Sequence, residues 1–425
     1  MTGNSINICI IGAGSAQFTL DIIRDLCLTE GLKGANVCLL GHINKEKINQ
    51  VHNVGTRYSD EMGANLKFRV TYDRRDALRG ADFVINVAGL KPPHPVRQMV
   101  FFMDVVRDME ELCPDAWLLV AANPVFAGCT LMTRKSSIKV VGLCHGFREG
   151  VRNIAEVMGL ELENVHAQAA GINHNIWMTH FFYRGQDAYP LLDEWIETKA
   201  EEYWQSPEFN SGRIEWSDMG PKPIDIYKFF GLMPLGDTQR FSNLWWYNIN
   251  EDTERKFMAV QEEWWEVYRQ NTGAKLAAIV EAANHPSEPV SKYIPPRKST
   301  GHDHINIINA IANDHPGEYQ VNIPNDGAID GIPNDVVVEI PAFVSGRGIQ
   351  GIRIGRLPEM ITLHLQGSVI SMEYEVKALQ MRNPNLLVYG YLQNRNIKSI
   401  EEARKRVQEL LDDSSVAKYF EYKLF

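Results

Sequence analysis

The sequence predicts an α/β protein in which a doubly wound parallel sheet is followed by a mixed α+β part. Three observations predict it. Short apolar runs alternate with helical patterns through the first third or so of the 425 residues. A Gly-x-Gly turn closes the first of these runs, and eight of the nine tryptophans fall after residue 170, where the alternation has stopped.

Residues 6–11 form an apolar run that ends in Gly12-Ala13-Gly14-Ser15-Ala16, after which Phe18, Ile22, Ile23 and Leu26 recur at helical spacing. This is the pattern of strand, tight turn and helix. Further strands are expected at 37–40, 68–71, 83–87, 117–121 and 139–143, with helices at 45–62 and 96–112. The change of character near Val165 divides the chain into an expected dinucleotide-type domain, 1–165, and a substrate and oligomerisation domain, 166–425. In the second, a proline-rich surface connection is expected at 284–301, a helix at 305–311, strands at 319–323 and 336–340, and amphipathic helices at 357–381 and 400–411. The tryptophans fall mostly in helical-looking stretches.

Composition narrows the function. Lys and Arg total 43 against 53 for Asp and Glu, a net charge of −10, which speaks against nucleic acid and anionic membrane as partners. No apolar run approaches the roughly 18 residues of a membrane span. Residues 1–20 lack a basic segment ahead of their apolar run, so the cytoplasm is expected. The six cysteines lie between Cys9 and Cys144 without a CxxC pair, which reads as reduced thiols.

A doubly wound sheet binds ligands beyond the carboxyl ends of its strands. Each polar motif here follows a predicted strand: Gly12-Ala13-Gly14, Asn86-Val-Ala-Gly89, Asn123-Pro124 and Cys144-His145-Gly146. Gly12, Gly14, Ser15 and Ala16 suit a Rossmann-type turn whose amides meet a pyrophosphate at a helix N-terminus. The third glycine of the fingerprint is replaced by Gln17. The ribose-recognition position, usually acidic, carries His42 with Lys45 and Lys47 beyond, which leaves NADP open beside NAD. Asn86 and Asn123 stand on the dinucleotide side, in loops that resemble those of lactate and malate dehydrogenases.

Cys144 and His174 set a thiol and an imidazole on this framework, a soft pair for a divalent metal. Two ligands do not make a structural zinc site. They suffice for a catalytic ion completed by substrate and water.

The ordered set Gly12-Ala-Gly14-Ser15, Ala122-Asn123-Pro124, Cys144-His145-Gly146, Gly171-Ile-Asn173-His174, Pro234-Leu-Gly236-Asp237-Thr238 and Val321-Asn-Ile-Pro-Asn325 resembles glycoside hydrolase family 4, the NAD- and Mn-dependent glycosidases. The similarity runs through nearly the whole chain and is strongest to the α-glucosidase and α-glucuronidase branch. It implies an α-glycosidase acting on small glycosides by oxidation at C3, deprotonation at C2, elimination, water addition and re-reduction, a route outside paired-carboxylate hydrolysis. It further implies Cys144 and His174 as ligands of Mn2+ or another divalent metal, Asn123 and Asn173 as groups holding sugar hydroxyls, and Asp237 as the base at C2. A helix cap is the plainer role for Asp237. His145 would assist the leaving group or position water. Arg240, or arginines in 347–356, would meet an oxyanion at C6. His302 and His304 match a further family segment near the site. Homodimers or homotetramers are expected. The segment after Gly89 is shorter than in the family, which predicts a more open wall. Two rivals remain at this point: a hydroxy-acid or sugar dehydrogenase that releases its oxidised product, and an NAD-binding homologue without catalysis.

Overall fold

A computed structural model describes residues 5–14, 19–41, 45–209, 218–258, 261–296, 303–394 and 396–420. Ser15, Ala16, His42 and His302 lie outside the described residues, as do Trp216 and the side chains of Trp264 and Trp265. Six parallel strands come first: β1 (Asn7–Ile11), β2 (Asn36–Leu40), β3 (Lys67–Thr71), β4 (Phe83–Asn86), β5 (Trp117–Val120) and β6 (Lys139–Gly142). Their spatial order is β3-β2-β1-β4-β5-β6, the doubly wound arrangement with its reversal of direction between β1 and β4.

The strands are short, rich in Val, Ile and Leu, and covered on both faces, as parallel strands require. Side chains alternate between those faces. Ile8 and Ile10 pack with Val51, Val54 and Tyr58 of the helix Lys45–Glu61, whereas Cys9 and Ile11 pack with Phe102, Val105 and Met109 of the helix Pro95–Leu112. His94 caps the latter helix, its Nδ1 accepting from the Val96 amide at 3.2 Å, with Pro95 in the first turn.

The later strands extend the same sheet. They are β7 (Val165–Ile172), β8 (Asn175–Tyr183), β9 (Gln186–Asp187), β10 (Pro234–Leu235), β11 (Gly317–Pro324), β12 (Val337–Ser345) and β13 (Gly348–Gly351). Beyond β6 the order continues β11-β12-β7-β8-β10, with β13 beside β12 and β9 beside β8. The predicted strands and helices are present with ends displaced by a few residues at most, apart from the strand expected at 336–340, which continues to Ser345. The hairpin β7–β8 and the insertion of β11 and β12 between β6 and β7 were not foreseen. Trp177 also departs from the helical expectation: it lies on β8, fully buried, its ring 4.8 Å from that of Phe230. Trp195 and Trp204 are helical. Among the described residues no helix is long and apolar enough to cross a membrane.

The turn after β1 is fixed by close approach. Gly12 has φ +86°, and a Cβ there would lie 2.6 Å from the Ala88 Cα in the loop after β4. Only glycine fits. The first turn is thereby held against its neighbour at the point where the sheet reverses.

Candidate active site

The sheet order sets the polar residues in a row. From β5 outward, Asn123 follows β5, Cys144 follows β6, Asn322 lies on β11, Glu339 on β12, Asn173 and His174 form the β7–β8 turn, and Asp237 follows β10. Several of these spatial neighbours are far apart in the chain, Glu339 lying 166 residues from Asn173. Strand pairing collects them.

Asp237 reaches His174 because β10 pairs with β8 through Pro234↔Trp177 and Leu235↔Ile176. Thr238 then locks the corner: its Oγ1 accepts from the Ile176 amide at 2.8 Å and donates to the Ile176 carbonyl at 3.0 Å. Asp237 Oδ2 stands 3.5 Å from His174 Nε2, and its Oδ1 stands 3.5 Å from an Arg240 nitrogen. His174 holds φ +62° in a two-residue turn, a left-handed conformation that costs a non-glycine residue about 1–3 kcal/mol and marks functional turns. Phe241, 42% exposed, lies 5.5 Å from the His174 ring between centroids.

Gly146 and Gly236 bring the Cys144 loop onto the Asp237 loop. Gly236 has φ +55°, and a Cβ there would lie 2.7 Å from the Gly146 Cα. Gly236→Ala is therefore expected to destabilise the fold by about 1–3 kcal/mol and to separate Asp237 from Cys144. Thermal unfolding and kcat measured together check this: both should fall.

Electrostatics follow from burial. Burial pushes the Cys144 thiol well above its ordinary range, Glu339 and Asp237 push it further, and the Gly146 amide and Asn173 side chain oppose them. Cys144 is the only partly exposed thiol among the cysteines, and the other five are buried. Burial pulls His174 below its usual value, Asp237 opposing and His145 adding, so the ring is neutral with a lone pair for a ligand. His145 precedes the helix Gly146–Met158 and stands 3.5 Å from Glu149.

Two carboxyls went unnoticed in the sequence. Glu339 is 1% exposed and accepts on Oε2 from Asn173 Nδ2 at 3.0 Å and Asn322 Nδ2 at 3.2 Å. Burial pushes it up to about 7. Its signal was available, since a lone acid inside the apolar run Val336-Val-Val-Glu339-Ile-Pro is unusual. Asp218 left no such signal. It is buried, accepts from Asn153 at 2.8 Å and Gln239 at 3.0 Å, and lies 3.7 Å from Arg240. Burial pushes it from the ordinary 3.8 up to about 6. An acid raised in the fold holds its proton more tightly there than in the unfolded chain, so its contribution is present below about pH 4 and lost as pH rises toward 6. Asp218→Asn is expected to remove that slope, seen as a gain in melting temperature over wild type that grows between these pH values.

Arg240 is mostly buried and donates to the Gly236 carbonyl at 3.2 Å, between Asp218 and Asp237. The other arginines considered for an oxyanion lie elsewhere. Arg347 is exposed in the turn with Gly348, which lies against Trp117 at the start of β5, the end opposite the site, whereas Arg353 and Arg356 are exposed beyond β13, Arg353 standing 3.6 Å from Asp330. His304 is buried at the start of the helix His304–Asn313. The short segment after Gly89 is tied down. Gln98 accepts from the Leu90 amide and donates to the Ala88 carbonyl, and His94 Nε2 meets the Tyr391 hydroxyl at 2.9 Å.

The residues present fit a dinucleotide. Gly14 is exposed with open space where a Cβ would stand, and Asn86 at the end of β4 is fully buried with its Nδ2 unpartnered among the described residues. They also fit a catalytic metal. Among the described residues no three His, Cys, Asp or Glu side chains form a cage, so an ion on Cys144 and His174 would complete its shell with substrate and water.

In sequence and fold the chain is similar to known glycosidases. The family model described as "Family 4 glycosyl hydrolase" matches residues 7–92 and 94–160, and that of the "Family 4 glycosyl hydrolase C-terminal domain" matches 169–397. An "Alpha-galactosidase" of Bacillus subtilis (strain 168) is 26% identical over 397 aligned residues, covering 83% of this chain and 84% of its own. A "Probable 6-phospho-beta-glucosidase" of the same organism is 27% identical, with 74% of each chain covered. Among solved structures, a 6-phospho-alpha-glucosidase from gut microorganisms in complex with NAD and Mn2+ superposes with a TM-score of 0.75 at 18% identity, covering 96% of this chain and 98% of its own.

Proposed function

Because this chain belongs to family 4 of the glycosyl hydrolases, we propose that it hydrolyses small α-glycosides with NAD, or NADP, and a divalent cation, manganese or another, by oxidation at C3 of the sugar. The observation that carries this reading is the approach of Asp237 to His174 at 3.5 Å, with Asp237 close enough to act on the Cys144 thiol. The NAD and Mn2+ named for the gut enzyme support the cofactors, and the Bacillus α-galactosidase supports the α-glycoside.

A bound dinucleotide would supply hydride transfer at C3, and a bound metal ion Lewis acidity. The chain's own residues would do the rest. Gly12, Gly14, Ser15 and Ala16 would meet the pyrophosphate, His42 the ribose, and Asn86 and Asn123 the nicotinamide side. Cys144 and His174 would hold the ion. Asn123 and Asn173 hold sugar hydroxyls in line with the hydride acceptor. Asp237 removes the C2 proton, acidified by the C3 ketone, and Arg240 steadies Asp237 and joins the substrate contacts. His145 assists departure of the aglycone. Elimination, addition of water and re-reduction at C3 would leave the overall reaction a redox-neutral hydrolysis.

The same reading makes the protein a cytoplasmic homodimer or homotetramer, since a thiol ligand needs a reducing compartment. Light scattering of the purified chain checks the assembly.

The deciding experiment incubates the protein with NAD, Mn2+ and a reductant against aryl α-glucoside, α-galactoside and α-glucuronide in deuterated water. Deuterium at C2 of the released sugar without net NADH is the expected result. Steady NADH without sugar release would make the protein a dehydrogenase. No turnover of any glycoside, with NAD bound, would make it a non-catalytic homologue.

A further inference from the structure

Glu339 is the third residue of β12, between Val338 and Ile340, both fully buried, and no cation pairs with it among the described residues. An isolated buried carboxylate is costly, and an apolar residue would serve the core better. Its Oε1 is buried with no hydrogen-bond partner among the described residues. The whole of its polar contact is made by Oε2, which accepts from Asn173 at 3.0 Å and from Asn322 at 3.2 Å.

Oε2 accepts from both amides whether or not Oε1 carries a proton. The side of each asparagine amide turned toward Glu339 is therefore the NH2 side. With its NH2 group held on Glu339 Oε2 at 3.0 Å, the Asn173 amide presents its oxygen on the other side. An asparagine amide is nearly symmetrical in shape, so its partners decide which end points where.

We propose that Glu339 is a positioning residue of the active site: its Oε2 holds the NH2 end of the Asn173 amide, so that the amide oxygen faces the substrate hydroxyls. Only the last clause rests on the glycosidase reading. The acceptor, rather than the bulk or the charge of the side chain, carries the role. Asn322 steadies the same oxygen from the neighbouring strand, donating also to the Gly142 carbonyl at 3.4 Å.

Three full-length proteins test this: wild type, Glu339→Met and Glu339→Gln. Methionine keeps the length and removes the acceptor, whereas glutamine keeps an oxygen to offer Asn173. Glu339→Met is expected to melt no lower than wild type and to lose kcat by about 10- to 100-fold, the usual effect of removing a group that orients a metal ligand's neighbour, with KM and NAD affinity little changed. Glu339→Gln is expected to recover most of that loss. The second readout needs neither NAD nor substrate: the thiolate-to-metal absorption of the Co2+-loaded protein should shift in Glu339→Met and return in Glu339→Gln.

A stable Glu339→Met with wild-type kcat and an unchanged Co2+ spectrum would overturn the proposal, and so would a Glu339→Gln as impaired as Glu339→Met. Should Glu339→Met fail to fold, Asn173→Asp opposes two acceptors and is expected to lose kcat and shift the Co2+ band; retention of both overturns the proposal equally. If the wild type hydrolyses no glycoside, the Co2+ comparison still decides for or against Glu339, so the two readings fail in different measurements.

Discussion

Asp237→Asn is expected to lower kcat by about 10²- to 10⁴-fold, the range typical of a lost general base. The substitution keeps the size of the side chain, so the contact of Gly236 with Gly146 and the lock of Thr238 on Ile176 survive. What it removes is the ability to take a proton. The measurement is exchange of the substrate C2 hydrogen with deuterated solvent, which reports deprotonation apart from the later steps. Exchange should nearly stop while NAD binding persists. Exchange at the wild-type rate would reassign the base, with His145 the next group to test, since its ring is partly exposed close to the same turn.

Cys144→Ser is expected to have an effect of similar size for a different reason. A serine hydroxyl stays protonated near neutral pH and is a poor ligand for a borderline-soft ion, so the Lewis acid, which supplies several kcal/mol of charge stabilisation, is lost from the cycle. About 10³-fold in metal-dependent kcat follows. The thiol's own burial sharpens the comparison: the metal must displace a firmly held proton, so wild-type metal affinity should rise with pH and release protons on binding. Calorimetry with Mn2+ reads both. NAD affinity should be unaffected, because the Gly12 turn follows β1 while Cys144 follows β6, with β4 and β5 between them. Full activity in Cys144→Ser would remove the metal assignment.

The parallel half of the sheet could be read from the chain because each strand is a short apolar run and each turn carries its own punctuation, as at Gly12 and at Asn123-Pro124. The residues at those turns were legible for the same reason. Glu339 was not, because its meaning depends on partners 166 and 17 positions away, and only strand register brings Asn173 and Asn322 to the same oxygen. The β7–β8 hairpin was missed because β7 mixes Ala, Gly, Gln and His with few β-branched residues, and the two-residue turn holds His174 in a conformation more often given to glycine or asparagine. Asp218 is legible only through the helix and turn residues that bury it.

The order in which the chain is made differs from the order in which the sheet is laid. β6 and β7 leave the ribosome in succession, yet in the finished protein β11 and β12, made more than 130 residues later, stand between them. The two halves meet at single paired positions, Asn322 with Gly142 and Glu339 with Gly171. A growing chain can therefore complete its six parallel strands early, but Cys144 and His174 acquire their final spacing only when the late hairpin slides into the gap. A site built on Cys144 and His174 would therefore stay unformed until the chain has been made past Ser345.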